Sequence, residues 1–193
     1  MQVNLRQIQG PWNQGWVLDK HMLRSTFLGN DEQGHPKFDS HRTEVGEATF
    51  QLKYRSDMNQ ASRLAEAVAE HIYPKLDHVG FIVPMPASTQ RPFQPVTAVA
   101  RCLGRLVSRP VFERILLKSQ PRQPLKDLPT KAEKVATIAG SFSIHNQIVK
   151  EGAWNVLLLD DLFHTGATME AACASLRTYP KVKNVYVAAL TWR

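Results

Sequence analysis

Two adjacent carboxylates follow the most apolar predicted strand of the chain. Residues 155–159 read NVLLL, and Asp160 and Asp161 come directly after them. A buried strand of an open α/β sheet delivers such side chains to its carboxyl end, where ligands bind. Residues 162–168, LFHTGAT, then place one histidine, one glycine and two threonines before an apolar helical pattern. The segment therefore predicts a strand, a binding loop and a helix in direct succession.

The loop after the two acids has the composition of an anion site. Its backbone N–H groups, its two threonine hydroxyls and the positive end of the following helix can converge on a phosphate. The residues concerned are His164, Thr165, Gly166, Ala167 and Thr168. Carboxylates cannot neutralise a phosphate, so we expect Asp160 and Asp161 to bind sugar hydroxyls or the waters of Mg²⁺. Phosphate on one side and a diol on the other predict a ribose 5-phosphate, whereas the simpler alternative is an acidic turn with a threonine cap.

Composition and length narrow the class of protein. The chain has 193 residues, of which 43% are hydrophobic and 21% charged, as expected for one globular domain with its own core. No apolar run is long enough to span a membrane, and the first residues lack the apolar stretch of a signal peptide, so we expect a cytoplasmic protein without membrane contact. Cys102 and Cys173 are too few for a disulfide framework or a cysteine zinc site.

The net charge of +7 is concentrated in one part of the chain. Residues 91–134 hold ten basic and three acidic side chains. This segment predicts contact with an anion, either a phosphorylated small molecule or a nucleic acid backbone, with a solvated basic face as the plain alternative. Arg101, Arg105 and Arg109 recur every four residues and are predicted to lie on one face of the helix at 96–107, opposite its apolar stripe, where they could contact a phosphate backbone.

The composition and hydrophobic pattern of the sequence change near residue 50. Residues 1–50 contain turn signals and two short strand patterns and are predicted to form an N-terminal appendage, a candidate hood over the active site. Residues 51–193 alternate between strand and helix patterns, which predicts an α/β core with a mostly parallel, twisted sheet and helices on both faces. Strands are predicted at 79–83, 111–117, 155–159 and 185–190, and helices at 57–73, 96–107, 131–139 and 168–177. The polar segment 118–130 is predicted to be either disordered or a functional lid.

Residues 160–168 resemble the signature of the type I phosphoribosyltransferases. Further likeness is to the competence-associated ComF branch, from about residue 47 to the end of the sequence. It lies in Leu52-Lys53-Tyr54, Val83-Pro84-Met85-Pro86, Arg91-Pro92-Phe93-Gln94, and Gln123-Pro124-Leu125 with Leu128. The chain departs from this branch because residues 1–50 lack the usual four zinc-binding cysteines. It also has Lys131, Glu133 and Lys134 where an Arg-rich stretch is usual.

The resemblance implies an enzyme of the pentosyl-transferring class. It would bind 5-phosphoribosyl 1-diphosphate, with the loop on the 5-phosphate and Asp160 and Asp161 on the ribose hydroxyls. Mg²⁺ would be held through the substrate and through waters near the two acids. The resemblance places the diphosphate against Pro84, Met85, Pro86 and Arg91, through a cis X-Pro bond or a rigid trans turn. Arg122 and Lys126 would lie in a loop that closes over the substrate.

The acceptor and the role of His164 stay open at this stage. His164 could accept a proton from a nitrogenous acceptor, or as a cation it could contact the 5-phosphate. The resemblance also allows a ComF-like accessory protein in DNA uptake with weak or no catalysis, or a regulator that senses phosphoribosyl diphosphate. DNA and a second copy of the chain are therefore candidate partners beside the small-molecule substrate.

Overall fold

The computed structural model describes residues 1–87, 93–119 and 140–193. The strands in chain order are β1 (Arg6–Gln7), β2 (Gln14–Lys20), β3 (Met22–Asn30), β4 (Pro36–Arg42), β5 (Val79–Pro84), β6 (Leu116–Lys118), β7 (Phe142–Ile144), β8 (Trp154–Phe163) and β9 (Val182–Trp192). The helices are α1 (Glu44–Arg55), α2 (Asn59–His71), α3 (Pro95–Leu106) and α4 (Ala167–Arg177), with a single 3₁₀ turn at Tyr73–Lys75.

A five-stranded sheet forms the centre of the described part of the chain, in the order β1-β2-β9-β8-β5. The pairs β2–β9, β9–β8 and β8–β5 are parallel, and only the two-residue strand β1 is antiparallel to its neighbour. Helices α1, α2 and α3 cover one face, and α4 packs on the other. The predicted fold class, a mostly parallel α/β sheet with helices on both faces, is confirmed.

The aliphatic run of β8 serves both faces of the sheet. Val156 and Leu158 lie in the core under α4, whereas Leu157 and Leu159 lie in the core under α1 to α3, and all four are fully buried. Side chains alternate between the faces of a strand, so a strand that is covered on both sides must be apolar at every position. This burial fixes the register of β8 and with it the position of the acids that follow.

The edge of the sheet opens where β5 stops. Pro84 is paired with Leu159, and β8 continues for four more residues beside β9 alone, to Phe163. The backbone N–H of Met85 donates to the carbonyl of Leu159 at 2.7 Å and ends the contact between β5 and β8. Asp160 and Asp161 therefore lie within β8, rather than after it as the sequence pattern predicted, and they border a gap in the sheet.

The first fifty residues are more closely joined to the core than the sequence pattern suggested. β2 pairs with β9 in the central sheet through registers such as Trp16 with Ala188, and α1 runs across the expected boundary at residue 50. Only the β3–β4 hairpin forms a separate two-stranded sheet. The appendage was predicted from the polar composition of residues 1–50. β2 is one of the few apolar stretches in that segment, and it is the part that joins the central sheet.

Two further elements differ from the sequence-based prediction, and a third is not tested. The strand expected at 111–117 is reduced to one isolated bridge from Ile82 to Val111, and β6 begins only at Leu116 in a separate two-stranded sheet with β7. The helix predicted at 57–73 is preceded by a helix that was not predicted, α1, which ends at Ser56 in the left-handed conformation at φ 56°. The predicted helix at 131–139 lies outside the described residues.

Candidate active site

A cleft of about 300 Å³ lies at the open edge of the sheet. Its walls come from the end of α1, the turn after β5, the start of α3, β6, β8 and the first turn of α4. The lining residues include Lys53, Met85, Pro86, Gln94, Lys118, Asp160, Asp161 and Thr168. Cavities of this volume are typical of small-molecule sites, and this one lies at the carboxyl edge of a parallel sheet, where α/β proteins bind ligands.

The two acids of the cleft have different surroundings. The ammonium of Lys53, in the last turn of α1, lies 2.5 Å from Oδ2 of Asp161. Asp160 is turned inward, and its Oδ1 accepts a hydrogen bond from the backbone N–H of Asp161. Burial, and next the charge of Asp161, raise the pKa of Asp160 to about 7, against the opposing effect of that hydrogen bond, Lys53 and Lys118. One acid is therefore paired with a cation, and its neighbour is easily protonated.

A second lysine faces the acids from another wall. Lys118, at the end of β6, lines the cleft, and its ammonium lies 5.4 Å from the centre of the Phe142 ring. Burial lowers the pKa of Lys118, while the charge of Asp160 acts in the opposite direction. Lys53 and Lys118 offset the two carboxylates, so this cleft can accept a strongly anionic ligand despite its acidic pair.

The loop between β8 and α4 has the geometry of an anion-binding turn. Gly166 precedes α4 in the left-handed conformation at φ 84°, and within the described residues the helix has no side-chain N-cap hydrogen bond. The carbonyl of Gly166 accepts a hydrogen bond from the backbone N–H of Glu170 at 2.8 Å, which is the first hydrogen bond of the helix. The N–H groups of the first turn have no acceptor within the helix itself. A β-carbon at Gly166 would lie 3.3 Å from the ring of Phe163. The position therefore favours glycine both by conformation and by space.

The predicted loop residues are not equally close to the cleft. Thr168 lines it, Gly166 is buried, and Ala167 is half-buried. His164 and Thr165 are exposed, and neither lines the cleft of the described residues. The structure thus brings the helix end of the loop, but not His164, up to the two acids.

The turn after β5 forms the opposite wall. Met85 and Pro86 line the cleft, whereas Pro84 is buried in the strand. Among the described residues no peptide bond is cis, so Pro84 and Pro86 belong to a trans turn. The predicted contacts of Arg91, Arg122 and Lys126 lie outside the described residues.

The prediction that three arginines form one continuous face of α3 is wrong. Arg101 forms two hydrogen bonds with the carboxylate of Glu113, at 2.5 and 2.8 Å. Arg105 is exposed and donates to the sulfur of Cys102, while Arg109 lies beyond the end of α3 at Leu106. A helix that ends before the third arginine cannot present three of them in register.

Lys53 and Lys118 were missed as site residues by sequence reasoning. Lys53 is in the Leu52-Lys53-Tyr54 segment, where it was noted only for its family likeness, and Lys118 was counted as the start of the polar loop. One feature of the sequence pointed to Lys53, which directly follows the buried Leu52 near the end of an amphipathic helix. Nothing in the sequence indicated that this end of α1 lies against Asp161.

The residues of the cleft fit magnesium. Mg²⁺ in proteins usually keeps several waters and is bound by one or two carboxylates together with substrate phosphates. Asp160 and Asp161 can supply such ligands. In the described ranges no group of three or more His, Cys, Asp or Glu side chains is placed to hold a metal ion alone.

In those ranges, too, no helix is long and apolar enough to cross a membrane.

Solved structures share the architecture. Glutamine phosphoribosylpyrophosphate amidotransferase from B. subtilis, complexed with ADP and GMP, matches with a TM-score of 0.50 and 15% identity over 82% of this chain and 34% of that chain. The chain has the type I phosphoribosyltransferase fold. Adenine phosphoribosyltransferase from Trypanosoma brucei, with AMP, pyrophosphate and ribose-5-phosphate, gives a TM-score of 0.49 and 14% identity over 96% and 73% of the two chains. UMP synthase from Leishmania donovani gives a TM-score of 0.41 and 15% identity over 88% of this chain and 29% of that chain.

The likeness is one of fold. The chain spans about a third of the length of the amidotransferase and of the UMP synthase that it matches. No protein-family model and no curated protein matches it by sequence.

Proposed function

We propose that this protein is a Mg²⁺-dependent phosphoribosyltransferase that binds 5-phosphoribosyl 1-diphosphate and transfers phosphoribose to a nitrogenous acceptor. The observation that carries the proposal is the convergence of Asp160, Asp161, the uncapped start of α4 and the turn after β5 on one cleft. Each of these features suits a different part of the substrate, and all of them lie at the carboxyl edge of the sheet.

The substrate would lie across the cleft in one direction. The N–H groups at the start of α4 and the hydroxyl of Thr168 bind the 5-phosphate. Asp160 and Asp161 accept hydrogen bonds from the ribose hydroxyls. The diphosphate lies toward Met85 and Pro86, with Lys118 on the facing wall. Bound Mg²⁺ would neutralise charge on the departing diphosphate.

The reaction exchanges one bond at the anomeric carbon. The bond between that carbon and the diphosphate oxygen breaks, a bond to the acceptor nitrogen forms, and the acceptor loses a proton. Positive charge develops on the sugar as the diphosphate leaves, and the carboxylates beside it stabilise this charge from fixed positions. Asp161 is kept in place by Lys53, so little reorganisation is needed during the reaction.

Helix α3 gives no support to the DNA-binding role that was considered from the sequence. A DNA-binding role was inferred from the basic segment 91–134 and from a stripe of Arg101, Arg105 and Arg109 within it, but Arg101 is paired with Glu113 and α3 ends before Arg109. The ComF likeness, a sensing role and a second copy of the chain stay hypotheses from sequence. The β3–β4 hairpin, rather than the whole of residues 1–50, is the candidate hood.

Isothermal titration calorimetry tests the proposed function. The protein is titrated with 5-phosphoribosyl 1-diphosphate in the presence and absence of Mg²⁺, and the same titration is made with ribose 5-phosphate. We expect saturable binding that is tighter with Mg²⁺, and weaker binding by Asp161→Asn. Absence of binding by the correctly folded protein with Mg²⁺ would contradict the proposal.

A further inference from the structure

A second cavity adjoins the cleft behind Asp161. It has a volume of about 130 Å³, and we call it the side cavity. Lys53, Asp161 and Leu162 line both spaces. The remaining walls come from the ends of β2, β9 and α1, through His21, Thr49, Tyr54, Thr191 and Arg193. A ligand that begins at the ribose position could therefore extend past Asp161 into this cavity.

The side cavity has more basic than acidic groups. Lys53 and Arg193 are cations, and Asp161 is the one acidic side chain among the described lining residues. The ion pair with Lys53 already balances Asp161. Burial, then the charges of Arg193, Arg42 and Lys53, lower the pKa of His21, and Asp161 acts in the opposite direction. The imidazole is therefore neutral at pH 7 and lies in a positive local field.

Two nitrogen-bearing groups of the side cavity have no partner among the described residues, and Nδ1 of His21 is a donor when the neutral ring carries its proton there. The ring nitrogen Nδ1 of His21 is buried without a hydrogen bond. The guanidinium of Arg193 takes part in none of the ion pairs that the described ranges contain, and the backbone N–H of this residue donates to the carbonyl of Phe163. Arg42, outside the cavity lining, is held by Glu47 and stacks on the ring of Phe50. Nδ1 of His21 is buried, so a ligand that hydrogen-bonds with it gains affinity, whereas the guanidinium of Arg193 is exposed and can bind an anion from solvent.

We propose that the side cavity binds a carboxylate group of the acceptor, with Arg193 and His21 as its donors. This inference rests on the proposed function, because it names the class of acceptor: a planar nitrogen heterocycle with a carboxylate substituent. The volume of the side cavity suits that substituent and part of a ring, while the reacting nitrogen lies toward the ribose. A guanidinium can bind a carboxylate through two parallel hydrogen bonds. An uncharged heterocycle would forgo the charge-assisted hydrogen bonds to Arg193, so the cavity favours a carboxylate.

Matched pairs of probes test the inference. Pyridine-3-carboxylate is compared with pyridine-3-carboxamide, and uracil-6-carboxylate with uracil, by titration calorimetry with and without 5-phosphoribosyl 1-diphosphate and Mg²⁺. In at least one pair we expect the carboxylate to bind at least tenfold more tightly than its uncharged partner. We expect Arg193→Gln and His21→Asn each to reduce this preference about tenfold and to leave the affinity for phosphoribosyl diphosphate unchanged. Lys183→Gln, an exposed lysine at the opposite end of β9, should keep the preference.

The outcomes separate the inference from the proposed function. Binding of phosphoribosyl diphosphate without any carboxylate preference would overturn the inference alone. A preference that persists in both Arg193→Gln and His21→Asn would also overturn it, because the anion would then bind elsewhere. Failure to bind phosphoribosyl diphosphate would contradict the proposed function. In that case the titrations of the free protein still decide whether the side cavity selects carboxylates, and a preference lost in Arg193→Gln supports it.

Discussion

The side-chain nitrogen of Lys53 lies 2.5 Å from Oδ2 of Asp161, although the two residues are 108 positions apart in the chain. Their side chains are only 28% and 15% exposed. α1 thus places a cation beside one acid of the cleft, and the adjacent acid, Asp160, is left with a raised pKa. The pair separates the main cleft from the side cavity, so it can influence both substrate and acceptor.

Replacing Lys53 by Met should destabilise the protein. Asp161 would lose its paired cation in a largely buried place, and we expect the free energy of unfolding to fall by about 1–2 kcal/mol, with partial exposure limiting the effect. Urea denaturation measures the change. Lys183→Met removes an exposed lysine and should have little effect.

A double-mutant cycle isolates the Lys53–Asp161 pair. Asp161→Asn in the Lys53→Met background removes the unpaired charge, so the second change should cost less than it does in the unmodified protein. Additive effects, or a Lys53→Met variant as stable as the unmodified protein, would contradict a stabilising role for the pair.

The raised pKa of Asp160 predicts that stability falls as the pH rises. The unfolded side chain ionises near 3.8 and the folded one near 7, so the folded state binds the additional proton between these values. The free energy of unfolding should therefore decrease from about pH 4 to about pH 7, through this group alone, by about 2–4 kcal/mol. Denaturation of the unmodified protein and of Asp160→Asn at several pH values measures this contribution.

Asp160→Asn should lack most of this pH dependence and should be the more stable protein at pH 8. Glu151→Gln, at a carboxylate that is 96% exposed, should keep the slope of the unmodified protein. Parallel pH profiles for the unmodified protein and Asp160→Asn would show that this carboxyl group does not titrate as expected.

Gly166→Val should abolish binding of phosphoribosyl diphosphate and leave the sheet folded. The new side chain would need the left-handed conformation at φ 84° and would meet the ring of Phe163. The strain costs about 1–3 kcal/mol and displaces the N–H groups that the phosphate needs. Calorimetry and far-ultraviolet circular dichroism measure the two effects.

Gly34→Val is the matched control for Gly166→Val. Gly34 has a similar φ of 82° in the turn of the β3–β4 hairpin, and a β-carbon there would meet nothing within 4 Å. It should lose similar stability but bind phosphoribosyl diphosphate normally. Normal binding by Gly166→Val would exclude this loop as the phosphate site.

His164→Asn distinguishes the two roles predicted for this exposed histidine. If His164 accepts the acceptor's proton, turnover should fall 10²-fold or more and one limb of the pH–rate profile should disappear, with little change in substrate affinity. If the imidazolium contacts the 5-phosphate, affinity for phosphoribosyl diphosphate should fall instead. Steady-state kinetics and calorimetry give both values, and unchanged turnover and affinity would exclude both roles.

Much of the sheet and of the loop between β8 and α4 could be predicted because the deciding information is local. Four aliphatic residues in succession require a strand covered on both faces, and Asp160 and Asp161 follow them in the same segment. Gly166 before a helical pattern indicates a loop, and the structure gives this glycine a positive φ. Such features depend on neighbours within a few positions, where the period of side chains and the freedom of glycine act directly.

The tertiary structure alone decided which distant groups meet at the acids. β2 joins the sheet beside β9, α1 brings Lys53 to Asp161, and β5 stops at Pro84 while β8 continues. Arg101 meets Glu113 instead of facing a ligand. The sequence by itself determined the strand, the acids and the loop, because these depend on local periodicity and backbone preference. The charge balance of the cleft and its side cavity depends on the packing of a helix and several strand ends from other parts of the chain, which no local pattern encodes.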